Sequence, residues 1–287
     1  ELMELERDNI IDNETTLESA INKYIEVLKL RNCSKNTITS YEAMLNFMYD
    51  LKDIPIKNLT SYDIELHFLK KSKETGYVYK GYLRTLKVVF NFACDDLQVI
   101  PKSVVKKIKI EDPEDTRIKF IDKKMQLDIL NTVPKKHHKI LTFAYNTGLR
   151  IGEILGLTIK DVSPHEIDIN KQWYDNGFHK LKTKNSYRQV PISSDVYKEL
   201  KNSTTDIHGR IFYGYSSEML NYHLRKFNTS IHCYRHTYVT RLLSQGISIK
   251  MVADIVGDTV EMVYKVYLEL NQDTKKEELD QVRKMIN

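Results

Sequence analysis

Along nearly the whole chain, apolar residues recur every three or four positions, and only between residues 165 and 192 do they alternate. The first spacing paints one stripe on a helix, and the second paints one face of a strand. A mainly α chain with a small antiparallel β-sheet is therefore expected. Leu17, Ile21, Tyr24, Ile25 and Leu28 form a first stripe behind Thr15 or Thr16 as N-cap. Ile38, Tyr41, Leu45 and Met48 form a second stripe after Ser34. Thr60 or Ser61 opens a short third helix through Leu69, and Leu83, Leu86, Phe90 and Ala93 mark a fourth that Pro101 is expected to stop. Short polar connections between the four predict a small antiparallel bundle over 15–100.

Residues 101–116 carry Lys102, Lys106, Lys107 and Lys109 and then an acidic stretch around Pro113, the composition of an exposed interdomain linker. Its lysines fit a solvated charge run or a strap along a polyanion's backbone. From 117 to 287 the spacing predicts helices at 122–132, 136–147, 150–157, 194–202, 216–228, 233–245, 248–256, 259–270 and 274–285. The period-two stretches HEIDINKQW, FHKLKTK and YRQVPI supply the sheet, with a tight turn expected near Asn185 and Ser186.

Charge points to the class of partner. Lys and Arg total 44 against 39 Asp and Glu, but residues 1–20 hold seven of the acids and one base. The other 267 residues hold 43 bases and 32 acids, a net of +11, which suits a polyanion. Mean hydropathy is −0.46 and no apolar run approaches 18 residues, so no membrane-spanning helix is expected. No signal peptide opens the chain, and Cys33, Cys94 and Cys233 lack the spacing of a zinc site or a disulfide framework. A soluble protein of a reducing, cytoplasmic compartment follows.

Three local features carry chemistry. Arg150 follows a Gly148 turn at a helix start, where a cation opposes the helix dipole unless an anion joins it. Glu153, three residues on, shares its face and can orient the guanidinium; a surface ion pair would have the same spacing. In His232-Cys233-Tyr234-Arg235-His236-Thr237, His232 and Arg235 share a helical face and can meet one phosphate, while His236 is expected to point elsewhere as a structural residue. The third feature runs from Val256-Gly257-Asp258 to Tyr264 and Tyr267; with 18 tyrosines in the chain, either one alone is a weak signal.

TGLRIGEILGL, HCYRHT followed by Gly246, and the Gly257 segment ending in Tyr267 together resemble the tyrosine recombinase (phage integrase-type) family. SKNTITSYEAMLNF and LTSYDI are similar to that family's helical, SAM-like core-binding domain, so the likeness covers nearly the whole chain. It implies a core-binding DNA-binding domain at 15–100 and a catalytic domain at 117–287, with 1–14 as the end of an N-terminal coupling segment. Arg150 and Arg235 would clamp the scissile phosphate, with His232 beside them. In LKTKNSYRQVPI the family's hairpin lysine aligns with Lys182, with Lys184 and Lys180 as fallbacks. Tyr267 would be the nucleophile, standing nine residues after Asp258, whereas Tyr264 would pack. Asp258 departs from the family, where His or sometimes Trp orients the phosphate; as Asp-Thr-Val-Glu it is a candidate helix cap. Glu153 and Asp258 are thus supporting residues. Lys35, Thr37 and Tyr41 at the second helix start, with Lys106 and Lys107, are the candidate DNA contacts.

The resemblance implies strand cleavage through a covalent 3′-phosphotyrosyl link and a four-way junction, with no metal, no ATP and no other cofactor. The implied partners are duplex DNA (element ends and target), a homotetramer on two sites, and accessory DNA-bending or excision factors. Leu279, Val282 and Ile286 of the last helix would dock on a neighbouring protomer or cap their own. An integrase of a conjugative transposon or phage in a bacterial nucleoid is the leading expectation. The alternatives are a chromosome-dimer resolvase, a non-catalytic DNA-binding protein, for which Asp258 is the support, and a metal-dependent nuclease.

Overall fold

The computed structural model describes residues 15–110 and 120–268. The expected coupling segment at 1–14, the acidic stretch around Pro113, and the terminal helix with Leu279, Val282 and Ile286 lie outside the described residues. The chain divides into two compact units, Glu1–Thr116 and Arg117–Asn287.

The first unit holds four helices: α1 (Leu17–Leu30), α2 (Lys35–Phe47), α3 (Ser61–Thr75) and α4 (Lys80–Asp95). Thr16 and Ser34 cap α1 and α2 by accepting from Ser19 N and Thr37 N. Thr60 opens α3 with a reciprocal capping box to Asp63, and Gly76 ends it in the left-handed region, nearly two turns past Leu69. Helix α4 stops at Asp95, well before Pro101, so the proline is not its terminator. Leu17, Ile21, Met44, Phe68, Leu86 and Phe90 meet in one core. Val105 and Ile108, within a stretch whose composition predicts exposure, are buried in that core, and Lys87 Nζ donates to Ile108 O at 2.7 Å.

The second unit runs α5 (Lys123–Thr132), α6 (His138–Thr147), α7 (Ile151–Gly156), four short strands, then α8 (Ser194–Lys201), α9 (Ser217–Leu224), α10 (Ile231–Ser244) and α11 (Ile249–Val256). Residues 260–268 form a further helix, α12. Strand β1 (Glu166–Ile169) pairs antiparallel with β4 (Arg188–Pro191), placing Ile167 opposite Val190. Strands β2 (Gln172–Tyr174) and β3 (Gly177–His179) make a separate hairpin. Its two turn residues, Asp175 and Asn176, have φ of 47° and 57°, as a tight hairpin of this hand requires. The turn expected near Asn185 and Ser186 is instead a single 3-10 turn at Lys184–Ser186. Both places carry residues that tolerate tight turns, but only the first is followed at once by a pairing strand.

Helix α10 packs along α6, and α7 lies against β2. Phe143, Ile154, Ile167, Phe212, Leu224 and Tyr234 share the main core, while Val252, Val256, Val263 and Val266 join Tyr238 in a smaller cluster. This second cluster fixes α11 and α12 against the middle of α10. The turn between α11 and α12, Gly257–Thr259, thereby comes to rest beside the start of α7.

Candidate active site

Arg150 is the residue before α7, with extended backbone (ψ 145°), so its side chain leaves the helix axis toward the α11–α12 turn. Glu153 Oε2 accepts from Arg150 N at 2.9 Å, and Glu153 Oε1 accepts from Arg150 Nη1 at 3.1 Å. One carboxylate thus satisfies an open helix donor and aims the guanidinium. The other edge of the fork reaches forward: Nη2 donates to Gly257 O at 2.9 Å and to Asp258 Oδ2 at 3.4 Å.

Arg235 enters from the start of the second turn of α10 and is 3% exposed. Its Nη1 donates to Gly148 O at 3.2 Å and its Nη2 to the same Asp258 Oδ2 at 3.0 Å. Burial, then the neighbouring Arg150 charge, lower its pKa from 12.5 to about 10, with Glu153 and Asp258 opposing. It stays charged at neutral pH. The two arginines are therefore joined through one carboxylate oxygen, at a position suited to the oxygen of any anion. Burial would raise the Asp258 pKa, but the Arg235 hydrogen bond and charge, with Arg150, hold it below the ordinary carboxylate value. Asp258 is not the cap of α12: Thr259 Oγ1 accepts from Met262 N at 3.2 Å and fills that place.

The Gly148 turn has φ +61°, and a Cβ there would lie 2.5 Å from Tyr238 Cδ1. No larger residue fits between α6 and α10 here, which is why the Gly148 carbonyl can come within reach of Arg235.

His232 sits on the open side of α10, one turn before His236, and their rings meet edge to face at 4.6 Å. His236 thus lies against His232 instead of pointing elsewhere, as residues four apart on a helix do. Partial burial lowers the His232 pKa, and the Arg235 and Arg150 charges push it the same way. Its ring is kept neutral, the form that can take up a proton.

A cavity of about 370 Å³ opens beside Arg150 and is lined also by Glu153, Gln172, Lys182, Ser186 and Asp258. Lys182 belongs to this lining; Lys180 and Lys184 do not. Tyr267 lies on α12, half-buried, with its ring stacked 6.3 Å from that of Tyr264. Its hydroxyl makes no hydrogen bond to Arg150, Arg235 or His232. Tyr264 is 46% exposed and so does not pack into the core; Val263 and Val266 take that face of α12.

In the first unit, Lys35 and Thr37 are exposed at the start of α2, as are Lys106 and Lys107. Tyr41 is not available to a partner: it is buried, with its ring 5.1 Å from that of Tyr24. The expected apolar stripe of α2 does face the core and takes Tyr41 with it, so the candidacy of Tyr41 as a DNA contact is corrected.

Sequence reasoning passed over Arg188. It is the first residue of β4, shares the inward face with Val190, and makes a bidentate ion pair with Glu153 in which both side chains are nearly inaccessible, 5% and 2%. A charged residue at an inward strand position demands a buried counter-charge, and that was the available signal. No group of three or more His, Cys, Asp or Glu placed to hold a metal occurs among the described residues, and no helix there is long and apolar enough to cross a membrane.

Comparison with known proteins places these features in context. The model of the phage integrase family matches residues 119–274, more than half of the chain. Tyrosine recombinase XerA of Pyrococcus furiosus is 23% identical, over 96% of this chain and 98% of the relative. The ICEBs1 integrase of Bacillus subtilis is 28% identical, over 75% of this chain and 68% of the relative. Among solved structures, the Tn1549 transposon integrase in complex with circular intermediate DNA has the same fold, with a TM-score of 0.73, 23% identity, and coverage of 93% of this chain and 99% of the other.

Proposed function

The chain belongs to the phage integrase family, and from that premise we propose that it is a site-specific recombinase that cuts and rejoins duplex DNA through a tyrosyl–phosphate bond. The observation that carries this reading is the convergence of Arg150 and Arg235 on one anionic oxygen, Asp258 Oδ2, at 3.4 and 3.0 Å. In the reaction a non-bridging oxygen of the scissile phosphate takes that place and both guanidinium groups offset the charge that grows on it. Removing either is expected to cost about 3 kcal/mol of transition-state stabilisation, as for an oxyanion-hole donor.

Tyr267 Oη attacks phosphorus in line, its proton passing to His232, whose ring is held neutral. The phosphorus–O5′ bond breaks, Lys182 Nζ protonates the departing 5′ oxygen, and a 3′-phosphotyrosyl link remains. Rejoining reverses these steps with a new 5′ hydroxyl. The bond energy is kept in the tyrosyl ester, so the cycle consumes no nucleotide. Lys35, Thr37, Lys106 and Lys107, all exposed, are the proposed contacts with the DNA backbone.

The likeness to the ICEBs1 integrase and to the Tn1549 transposon integrase favours integration and excision of a mobile element, by four protomers on two DNA sites through a four-way junction. Resolution of chromosome dimers is the second reading, favoured by the nearly full-length likeness to a XerA recombinase. A nicked duplex carrying a candidate site, incubated with the protein in EDTA and run on a denaturing gel, tests the chemistry. A covalent adduct that disappears in Tyr267→Phe supports the proposal. An adduct that persists moves the nucleophile to another tyrosine, Tyr264 first. Tight binding without any adduct favours a non-catalytic DNA-binding protein. Supplying element ends or a chromosomal dimer site as substrate then separates the two recombination readings.

A further inference from the structure

Arg188 Nη1 and Nη2 donate to Glu153 Oε1 and Oε2 at 3.1 and 2.9 Å, its Nε donates to Ile255 O at 2.7 Å, and Nη1 also donates to Ser186 O at 2.9 Å. Every edge of the fork is thus used, and each edge holds a different part of the site. Glu153 is the carboxylate that aims Arg150. Ile255 is the last full turn of α11 before Gly257 and Asp258. Ser186 belongs to the loop that carries Lys182, and its hydroxyl lies 2.9 Å from that of Thr183. The Arg188 side chain also lies close against the Gly257 turn: a Cβ on Gly257 would stand 2.8 Å from Arg188 Nη1. Only glycine, at φ +67°, lets the backbone bearing Asp258 rest there.

We infer that Arg188 is the positioning residue of this active site, a buried cation that sets Arg150, through Glu153, and the Asp258 turn, through Ile255, relative to one another. It touches no reacting atom. Its planar five-donor fork matters more than its charge, because a lysine ammonium cannot address a carboxylate edge and two carbonyls in different directions at once. The ion pair is also too deep to serve solubility, and an apolar pair of equal volume would hold the core as well or better. Retention of charge here is explained by what the charge holds in place.

The inference rests on the recombinase reading, and its test keeps the two apart. Arg188→Lys and the wild type are compared in single-turnover cleavage of a nicked duplex, once with an ordinary scissile phosphate and once with a methylphosphonate there. The methylphosphonate is uncharged and keeps only one of the two non-bridging oxygens, so its cleavage depends much less on where Arg150 stands. Arg188→Lys is expected to cleave the ordinary site more than 30-fold more slowly, with DNA affinity within threefold of wild type. On the methylphosphonate the deficit is expected to shrink to less than threefold. An equal deficit on both substrates, or none on the ordinary one, overturns the inference and leaves the recombinase reading standing; absence of wild-type cleavage overturns both. If Arg188→Lys does not fold, Arg188→Gln, which keeps an amide donor for Glu153 and leaves Glu153 itself in place, is put through the same comparison with the same criteria.

Discussion

Asp258 Oδ2 and Arg235 Nη2 stand 3.0 Å apart, so the more deeply buried of the two site arginines is neutralised by a carboxylate 23 residues further along the chain. The family pattern has a hydrogen-bond donor at this position. Here an acceptor occupies the place that a phosphate oxygen would take in the proposed reaction, which therefore requires that the carboxylate be displaced.

Replacing Asp258 with asparagine keeps the shape and removes the competing charge. Cleavage of a nicked duplex by Asp258→Asn is expected to rise about tenfold, equivalent to about 1.4 kcal/mol less competition for the arginines. Asp258→His, which restores a donor, is expected to do at least as well. A fall in both, measured in single turnover, would show that the carboxylate takes part in the reaction instead of opposing it.

Glu153 and Arg188 form an ion pair with almost no access to water. Glu153→Met leaves the Arg188 charge stranded and is expected to cost about 3–5 kcal/mol of stability. Arg188→Met alone should cost a similar amount, and the double variant much less than the sum. Urea unfolding of the four proteins gives the coupling energy directly; additive losses would mean that the pair is not the unit described.

The Gly148 turn combines a left-handed backbone with Tyr238 pressed against its Cα. Gly148→Ala therefore meets backbone strain and overpacking together, about 2–4 kcal/mol. Because Gly148 O accepts from Arg235, cleavage should fall along with the melting temperature. An alanine variant with wild-type stability would contradict the packing described.

The His236 pKa is lowered from 6.5 to about 4 by burial, then by His232 and Arg235, with Asp258 opposing. The folded protein holds the neutral ring where the unfolded chain takes up a proton. Stability is thus complete above 6.5 and declines as the pH falls from 6.5 toward 4. His232, also lowered, adds to the same slope. Urea midpoints measured across this window should show a shallower decline for His236→Asn; an unchanged slope would place the titration elsewhere.

Much of this was legible from spacing. The stripes of α1 and α4 named their buried residues because an apolar position repeated every three or four residues has only one face to cover. The caps were readable to within one residue, because a hydroxyl before an apolar run has an obvious donor to meet; the structure chooses Thr16 over Thr15 and Thr60 over Ser61. The site arginines stood out through their motifs. What failed was whatever depended on distant parts of the chain. Tyr41 was both a stripe residue and a candidate DNA contact, and only its packing against Tyr24 decides for the stripe. Asn185 and Ser186 looked like a hairpin turn, but β4 pairs with β1, and β3 with β2. Arg188 drew no notice within the alternating stretch YRQVPI. Its importance lies in Glu153 and Ile255, which are 35 and 67 residues away.

That separation has a consequence for how the protein comes into being. Arg150 and Asp258 meet across 108 residues, and Arg235 and Gly148 across 87. Contacts of such range reward the chain only after its local structure has formed and the intervening loop has been closed. During synthesis, the residues up to Arg150 leave the ribosome long before Asp258 is made. A nascent or partly unfolded chain therefore carries the basic residues but not the assembled pair of arginines. On the proposed function, such a chain would hold basic surface for a polyanion without the centre that cuts it, so cleavage competence would arrive only with the completed fold.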